Sequence, residues 1–251
     1  MSERPAVTDR FVRTFGLRAV VIPAARLLQT YFRARVFGDD RIPRDRPVIY
    51  VGKHPRSYLY LETMLLGLYA FWDADRPPFR VLEAKGTSLH RTPILGWIRR
   101  NVNAIPATAE HALDALAHGE SLLIFPGGTR ELYGPRDQLQ WHGRSGFADI
   151  AIRAGAPVVP FAIVGADRQH PARFSLGRRS IWLPPFPLPV ALDFVFGRPL
   201  PPPVSGPPSR TAAAEFAARV ETATRDLLAG GAAARRGEPA MPPAPAHESG
   251  S

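Results

Sequence analysis

The sequence predicts an α/β layered fold with a mixed, largely parallel sheet flanked by helices, and three observations predict it. Short apolar runs rich in β-branched residues recur between residues 47 and 198, segments of helical period separate them, and two unusual motifs each follow directly on one of those runs. The expected strands are Pro47–Gly52 (PVIYVG), Phe79–Leu82, Ser121–Phe125 (SLLIF), Pro157–Val164 (PVVPFAIV) and Val190–Phe196 (VALDFVF). Each has the length of a buried strand rather than of a helix. Helical period marks Leu59–Phe71, Pro93–Arg100, Ala107–Ala117 and Gly143–Ala154. In such a sheet the chemistry sits in the loops at the carboxyl ends of the strands, which is where both motifs fall.

The flanks differ from this core. Residues 1–46 are arginine-rich, with six arginines and no acid between Arg10 and Arg35, interleaved with apolar residues at spacings of three and four. That pattern predicts one or two amphipathic helices, bent or divided at Pro23. Such a segment can lie in the headgroup plane of an anionic membrane, or cap the domain with its arginines in water. The core is bounded at 47–200. Residues 201–229 read as a proline-rich linker and a helix from about Ser209 to Leu228, with Ser209 as N-cap. From Gly230 to Ser251 the Gly, Ala, Pro and Ser content predicts a disordered tail.

Composition narrows the classes. The chain has 251 residues, 45% of them apolar, which supports a sizeable core and excludes wholesale disorder. The absence of cysteine excludes disulfides, thiolate metal sites and cysteine nucleophiles. No apolar run approaches the roughly 18 to 20 residues of a membrane-spanning helix. Ala19–Ala25, broken by Pro23, is too short and too far inside the chain to read as a signal peptide. The cytoplasm, or the cytoplasmic face of the membrane with the protein peripheral or monotopic, is the expected location. The net charge of +10 is carried by arginine, since Lys53 and Lys85 are the only lysines. It reflects either a GC-rich coding bias or attraction to an anionic surface. Nucleic acid is the weaker choice of surface, because no Cys/His finger, aromatic RNA motif or basic heptad region is present.

The first motif is Gly52-Lys53-His54-Pro55-Arg56-Ser57, directly after PVIYV. A neutral imidazole at a strand end is suited to take a proton from a hydroxyl, and works best when a carboxylate holds its other ring nitrogen. A histidine in such a loop serves equally to make a structural hydrogen bond. The nearest acid downstream is Glu62. The second motif is Phe125-Pro126-Gly127-Gly128-Thr129-Arg130-Glu131, directly after SLLIF. Paired glycines let a backbone approach a ligand and aim amide hydrogens at an anion, and Arg130 offers a forked donor for phosphate or carboxylate. The loop lacks the G-K-S/T ending of a Walker A motif.

In this order, and about 70 residues apart, the two motifs resemble those of the glycerolipid acyltransferase superfamily, H-x-x-x-x-D followed by F-P-E/G-G-T-R. Asn103-Ala104-Ile105-Pro106 falls where that family carries its middle motif, and Gly155-Ala156-Pro157-Val158-Val159-Pro160 is similar to its later one. Gln138–Ala154 and Pro184–Pro199 resemble the subgroup related to diacylglycerol acyltransferases. The resemblance implies a glycerol-phosphate acyltransferase-like fold and an O-acyltransferase that moves a fatty acyl group from acyl-CoA or acyl carrier protein to the hydroxyl of a glycerolipid or related lipid alcohol. It implies His54 as general base and Gly127, Gly128, Thr129 and Arg130 as a phosphate site. Pro126, Glu131, Arg56 and Pro160 would support them. No metal or cofactor is implied, the acyl thioester being a co-substrate. One departure stands out: the family aspartate falls on Leu59, so Glu62 would take its part at His54 if the loop is longer here. Without that acid, the same fold would serve as a non-catalytic lipid-binding protein.

Overall fold

The computed structural model describes residues 26–56, 77–83, 104–176, 179–203 and 209–236. The expected helices Leu59–Phe71 and Pro93–Arg100, Glu62, residues 1–25 and residues 237–251 lie outside the described residues. Seven strands form one sheet: β1 (Arg35–Phe37), β2 (Ile49–Gly52), β3 (Phe79–Glu83), β4 (Ala104–Pro106), β5 (Ser121–Ile124), β6 (Val158–Val164) and β9 (Asp193–Phe196). Their spatial order is β1-β9-β6-β2-β5-β3-β4. Strands β2 to β6 run parallel, β9 runs antiparallel to β6, and β1 runs parallel to β9, so the sheet is mixed and largely parallel. A separate hairpin, β7 (Ala172–Leu176) and β8 (Arg179–Leu183), interrupts the connection from β6 to β9.

Alternation along β2 shows why the sheet is covered on both faces. Ile49 and Val51 join Leu122 and Val158 in a core shared with α1 (Ala109–Ala117), α3 (Gly146–Ala154) and α4 (Arg210–Arg236). Val48 and Tyr50 point the other way, into a second core with Leu123, Val159, Phe161, Phe194 and Phe32. A strand buried on both sides reads as the continuous apolar run seen in the sequence. Helix α1 starts at Thr108, whose hydroxyl accepts the His111 amide at 3.3 Å. Helix α4 buries Ala213, Phe216, Ala217, Val220, Thr224 and Leu228, one stripe at spacings of three and four.

Two sequence boundaries move. The core begins before residue 47: Phe32 is fully buried, and β1 pairs with β9 through Arg35↔Asp193. Helix α4 continues through Gly230 and Gly231 to Arg236, where the composition predicts a disordered tail. Two packing facts explain the extension. Gly231 lies so close to Val164 that a Cβ there would strike the Val164 side chain. Arg235 Nε donates to Asp193 Oδ2 at 2.6 Å, while Arg35 donates to the same carboxylate from the far side at 2.7 Å and 3.1 Å. The buried Asp193 thus ties β1, β9 and the end of α4 together.

Candidate active site

Strands β5, β2 and β6 lie side by side, so the loops after Ile124, Gly52 and Val164 open on one carboxyl edge. The crossover from β5 to β6 passes β2 to reach the sheet's other half, and a crevice opens at such a change of direction. All three loops meet at His54.

His54 is almost wholly enclosed, its ring 5.0 Å from that of Phe125. Nδ1 lies 2.8 Å from the Pro55 carbonyl. A carbonyl oxygen only accepts, so Nδ1 carries the proton and Nε2 carries the lone pair. Burial pushes the ring's pKa down to about 4, against the pull of the Pro55 carbonyl; Lys53 lowers it further. At neutral pH the imidazole is uncharged.

The second motif meets the first through Glu131, on the short helix α2 (Thr129–Tyr133). Its carboxylate is fully buried and accepts two main-chain amides, His54 N–H at 2.7 Å and Gln140 N–H at 3.0 Å. Burial pushes its pKa up to about 7, although both amides and Lys53 favour the ionised form. The two glycines are required for different reasons. A Cβ on Gly127 would collide with the Glu131 side chain. Gly128 has room for a Cβ but sits at φ 54°, ψ −139°, a backbone region essentially confined to glycine. The amide of Gly128 donates to the Phe125 carbonyl at 3.0 Å, so it closes the turn itself. Arg144 Nη1 donates to the Pro126 carbonyl at 2.8 Å and fixes the start of the loop.

The third loop supplies a residue that sequence reasoning missed. Asp167, buried two residues after Gly165, accepts Lys53 Nζ at 2.6 Å, Arg56 N–H at 3.0 Å and Asp137 N–H at 2.8 Å. Lys53 is buried too, and its Nζ reaches the His54 carbonyl at 3.4 Å. The His54 loop is therefore held on one side by Glu131 and on the other by Asp167. The usable signal was an acid just past the strand PVVPFAIV, which flanks the histidine strand.

The remaining expected residues are spread more widely. Thr129 and Arg130 are exposed at the rim; the Arg130 amide donates to the Gly127 carbonyl at 3.3 Å, while its guanidinium has no hydrogen bond or ion pair among the described residues. Arg56 is half-buried, with an enclosed Nε that finds no acceptor among the described residues. Burial lowers its pKa, and so do Arg136 and Arg173 nearby. Pro160 lies within the sheet opposite Val51, its carbonyl accepting the Gly197 amide at 2.8 Å. Glu62 lies outside the described residues, and among the described ones the Nδ1 proton of His54 goes to Pro55.

A family model described as Acyltransferase matches residues 33–164, more than half of the chain and a span holding both motifs. The chain belongs to the acyltransferase family. An uncharacterized protein of Mycobacterium tuberculosis is 32% identical to this family member over 177 residues, 68% of this chain and 49% of that protein. A 1-acyl-sn-glycerol-3-phosphate acyltransferase of Chlamydomonas reinhardtii is 28% identical over 153 residues, 57% and 42% of the two chains. The chain spans about half the length of the curated relatives it matches. The crystal structure of the 1-acyl-sn-glycerophosphate acyltransferase PlsC from Thermotoga maritima matches with a TM-score of 0.53, at 18% identity over 88% of this chain and 85% of that one. That likeness is one of fold: the mixed sheet with helices on its faces is the acyltransferase layered fold.

Proposed function

We propose that this acyltransferase-family chain moves a fatty acyl group from acyl-CoA or acyl carrier protein to the hydroxyl of a glycerolipid, with His54 as general base. The observation that carries the reading is the 2.8 Å approach of His54 Nδ1 to the Pro55 carbonyl, which can only accept and so assigns the proton to Nδ1 and the lone pair to Nε2. The acceptor hydroxyl gives its proton to Nε2 as its oxygen bonds to the thioester carbonyl carbon. The tetrahedral intermediate collapses with cleavage of the C–S bond, and the imidazolium returns the proton to the departing thiolate. Ester and free thiol are the products, and His54 ends neutral.

A weakly basic histidine suffices here because the thioester is already activated, leaving positioning and proton removal as the protein's tasks. Positioning is supported by the double clamp on the His54 loop, Glu131 at its amide and Asp167 beyond it. Arg130, exposed and with its guanidinium without a partner among the described residues, is suited to a phosphate of the acceptor or of the donor's pantetheine arm. The named Chlamydomonas relative favours a lysophospholipid as acceptor.

The test is thiol release and ester formation by the purified protein, with acyl-CoA and a panel of lysophosphatidate, monoacylglycerol and diacylglycerol. His54→Ala is the paired control. Ester formed by the wild type and lost in the variant is expected. A variant that keeps more than about a tenth of the rate removes His54 from the role, since a general base contributes about 10² to 10⁴.

A further inference from the structure

Hairpin β7–β8 presents its apolar residues to solvent. In its register Phe174 stands opposite Ile181, and Leu183 follows two residues on along the same face. Phe174 is 58% exposed, and Ile181 and Leu183 are also exposed. The opposite face is the packed one. Trp182 is buried there beside His170, Arg173 lies over the rings of Trp182 and Tyr133 at 5.7 Å and 5.0 Å, and Tyr133 belongs to the helix that carries Glu131. The proline-rich turn after β8 adds Phe186, 54% exposed, and Leu188.

Two further features bear on what covers this face. Residues 168–192 hold four arginines and no aspartate or glutamate. The turn is also tied to the C-terminal part of the arginine-rich N-terminal segment. Tyr31 Oη donates to the Pro187 carbonyl at 2.8 Å, Arg33 Nη2 donates to the Pro189 carbonyl at 2.7 Å, and the Tyr31 and Phe186 rings meet at 5.9 Å. An exposed apolar patch marks an interaction surface. One set in a stretch of sequence that carries basic residues and no acid complements anionic headgroups over a hydrocarbon layer.

We infer that the outer face of hairpin β7–β8, with Phe186 and Leu188 of the following turn, is a docking surface for an anionic lipid bilayer. It inserts shallowly through these exposed apolar side chains. The hairpin leaves the sheet from the same carboxyl edge as His54, just past Asp167, and rests on α2. Docking there sets the mouth of the site against the membrane. A bilayer as occupant rests on the reading of the acceptor as a lipid, but vesicle binding is measured without substrate, so the two readings fail separately.

Full-length wild type and the F174S/I181S/F186S variant are compared by co-sedimentation with phosphatidylcholine vesicles, with and without phosphatidylglycerol. The wild type partitions onto the anionic vesicles in a salt-sensitive way, and the variant does so at least about tenfold less. Its thermal unfolding and its acyl transfer to a short-chain, monomeric acceptor stay unchanged. Because the chain has no cysteine, Phe174→Cys carries a single polarity-sensitive dye. Its emission shifts to the blue on vesicle addition, while the dye on His118→Cys, exposed before β5 at the opposite edge, does not shift. Equal partition of variant and wild type overturns the inference. So does a change of oligomeric state in the variant, which would make a second copy the occupant. A dye at 174 that becomes wetter when residues 1–25 are deleted overturns it in favour of that segment.

Discussion

The carboxylate of Glu131 accepts the main-chain N–H of His54 at 2.7 Å, so the second motif holds the first in position across 77 residues of chain. The glycine beside it makes that reach possible. Gly127 has no Cβ, and any Cβ would occupy the space of the Glu131 side chain. The loop that looked like an anion cradle is thus also a clamp on the base.

Gly127→Ala tests the clamp through a double-mutant cycle. Alone it destabilises by about 1 to 3 kcal/mol, the usual cost of overpacking a tight site. In a Glu131→Ala background the obstructing side chain is gone, and the same glycine substitution becomes nearly neutral. Urea unfolding of the four proteins measures this, and simple additivity would show that Gly127 and Glu131 do not share the space.

His54 and Glu131 press on stability in opposite directions across overlapping pH windows. The folded pKa of His54 is depressed from 6.5 to about 4, so its contribution is present above pH 6.5 and is lost as pH falls through about 4. The folded pKa of Glu131 is raised from 4.5 to about 7, so its contribution is present below pH 4.5 and is lost as pH rises through about 7. Each window corresponds to about 3 kcal/mol. Relative to wild type, His54→Gln should gain stability between pH 6.5 and 4, and Glu131→Gln should gain between pH 4.5 and 7. Thermal unfolding across pH reads both, and a flat difference for His54→Gln would mean that its ring titrates in water.

The sheet was legible from the sequence where strands are buried on both faces. PVIYV, SLLIF and PVVPFAIV are continuous apolar runs because β2, β5 and β6 each touch both cores. Strands β1 and β4 escaped because each has three residues at a sheet edge, too short for any period to show. Hairpin β7–β8 escaped because its outward face is apolar and its inner face carries Arg173, the reverse of the pattern by which a half-buried strand is recognised. At the site, His54 and the FPGGTRE loop stood out through local composition. The bond between Lys53 and Asp167 joins residues 114 positions apart, and only the adjacency of β2 and β6 brings them together. No spacing rule encodes such a pair.

Lys53 and Asp167 are both about 95% buried at 2.6 Å, so breaking the pair should cost far more than removing it. Asp167→Ala leaves a buried ammonium unpaired and also strips the acceptor from the amides of Arg56 and Asp137. A loss of about 3 to 5 kcal/mol is expected. Lys53→Met combined with Asp167→Asn keeps an acceptor oxygen and removes both charges, and should recover part of that loss. Denaturant midpoints of the two proteins decide it. A double variant no more stable than Asp167→Ala would show that the charge on the pair is itself what holds the loop.

Arg130 separates binding from folding. Its side chain is exposed at the rim of the site and has no partner among the described residues, so Arg130→Ala should leave thermal unfolding unchanged. Its proposed work is a forked contact to a phosphate, in which each charge-assisted hydrogen bond contributes about 1.5 to 3 kcal/mol. Loss of one such bond raises KM about tenfold or more at constant kcat, if the contact is equally strong in ground and transition states. Arg130→Lys keeps the charge but not the fork, so it should fall between alanine and wild type rather than restore the parent value. Varying acceptor and donor in turn shows which phosphate is held, because KM rises for that substrate alone. If Arg130→Lys matches wild type for both substrates, Arg130 is an ordinary surface charge and the phosphate is held by other groups at the rim, with the half-buried Arg56 the first to test.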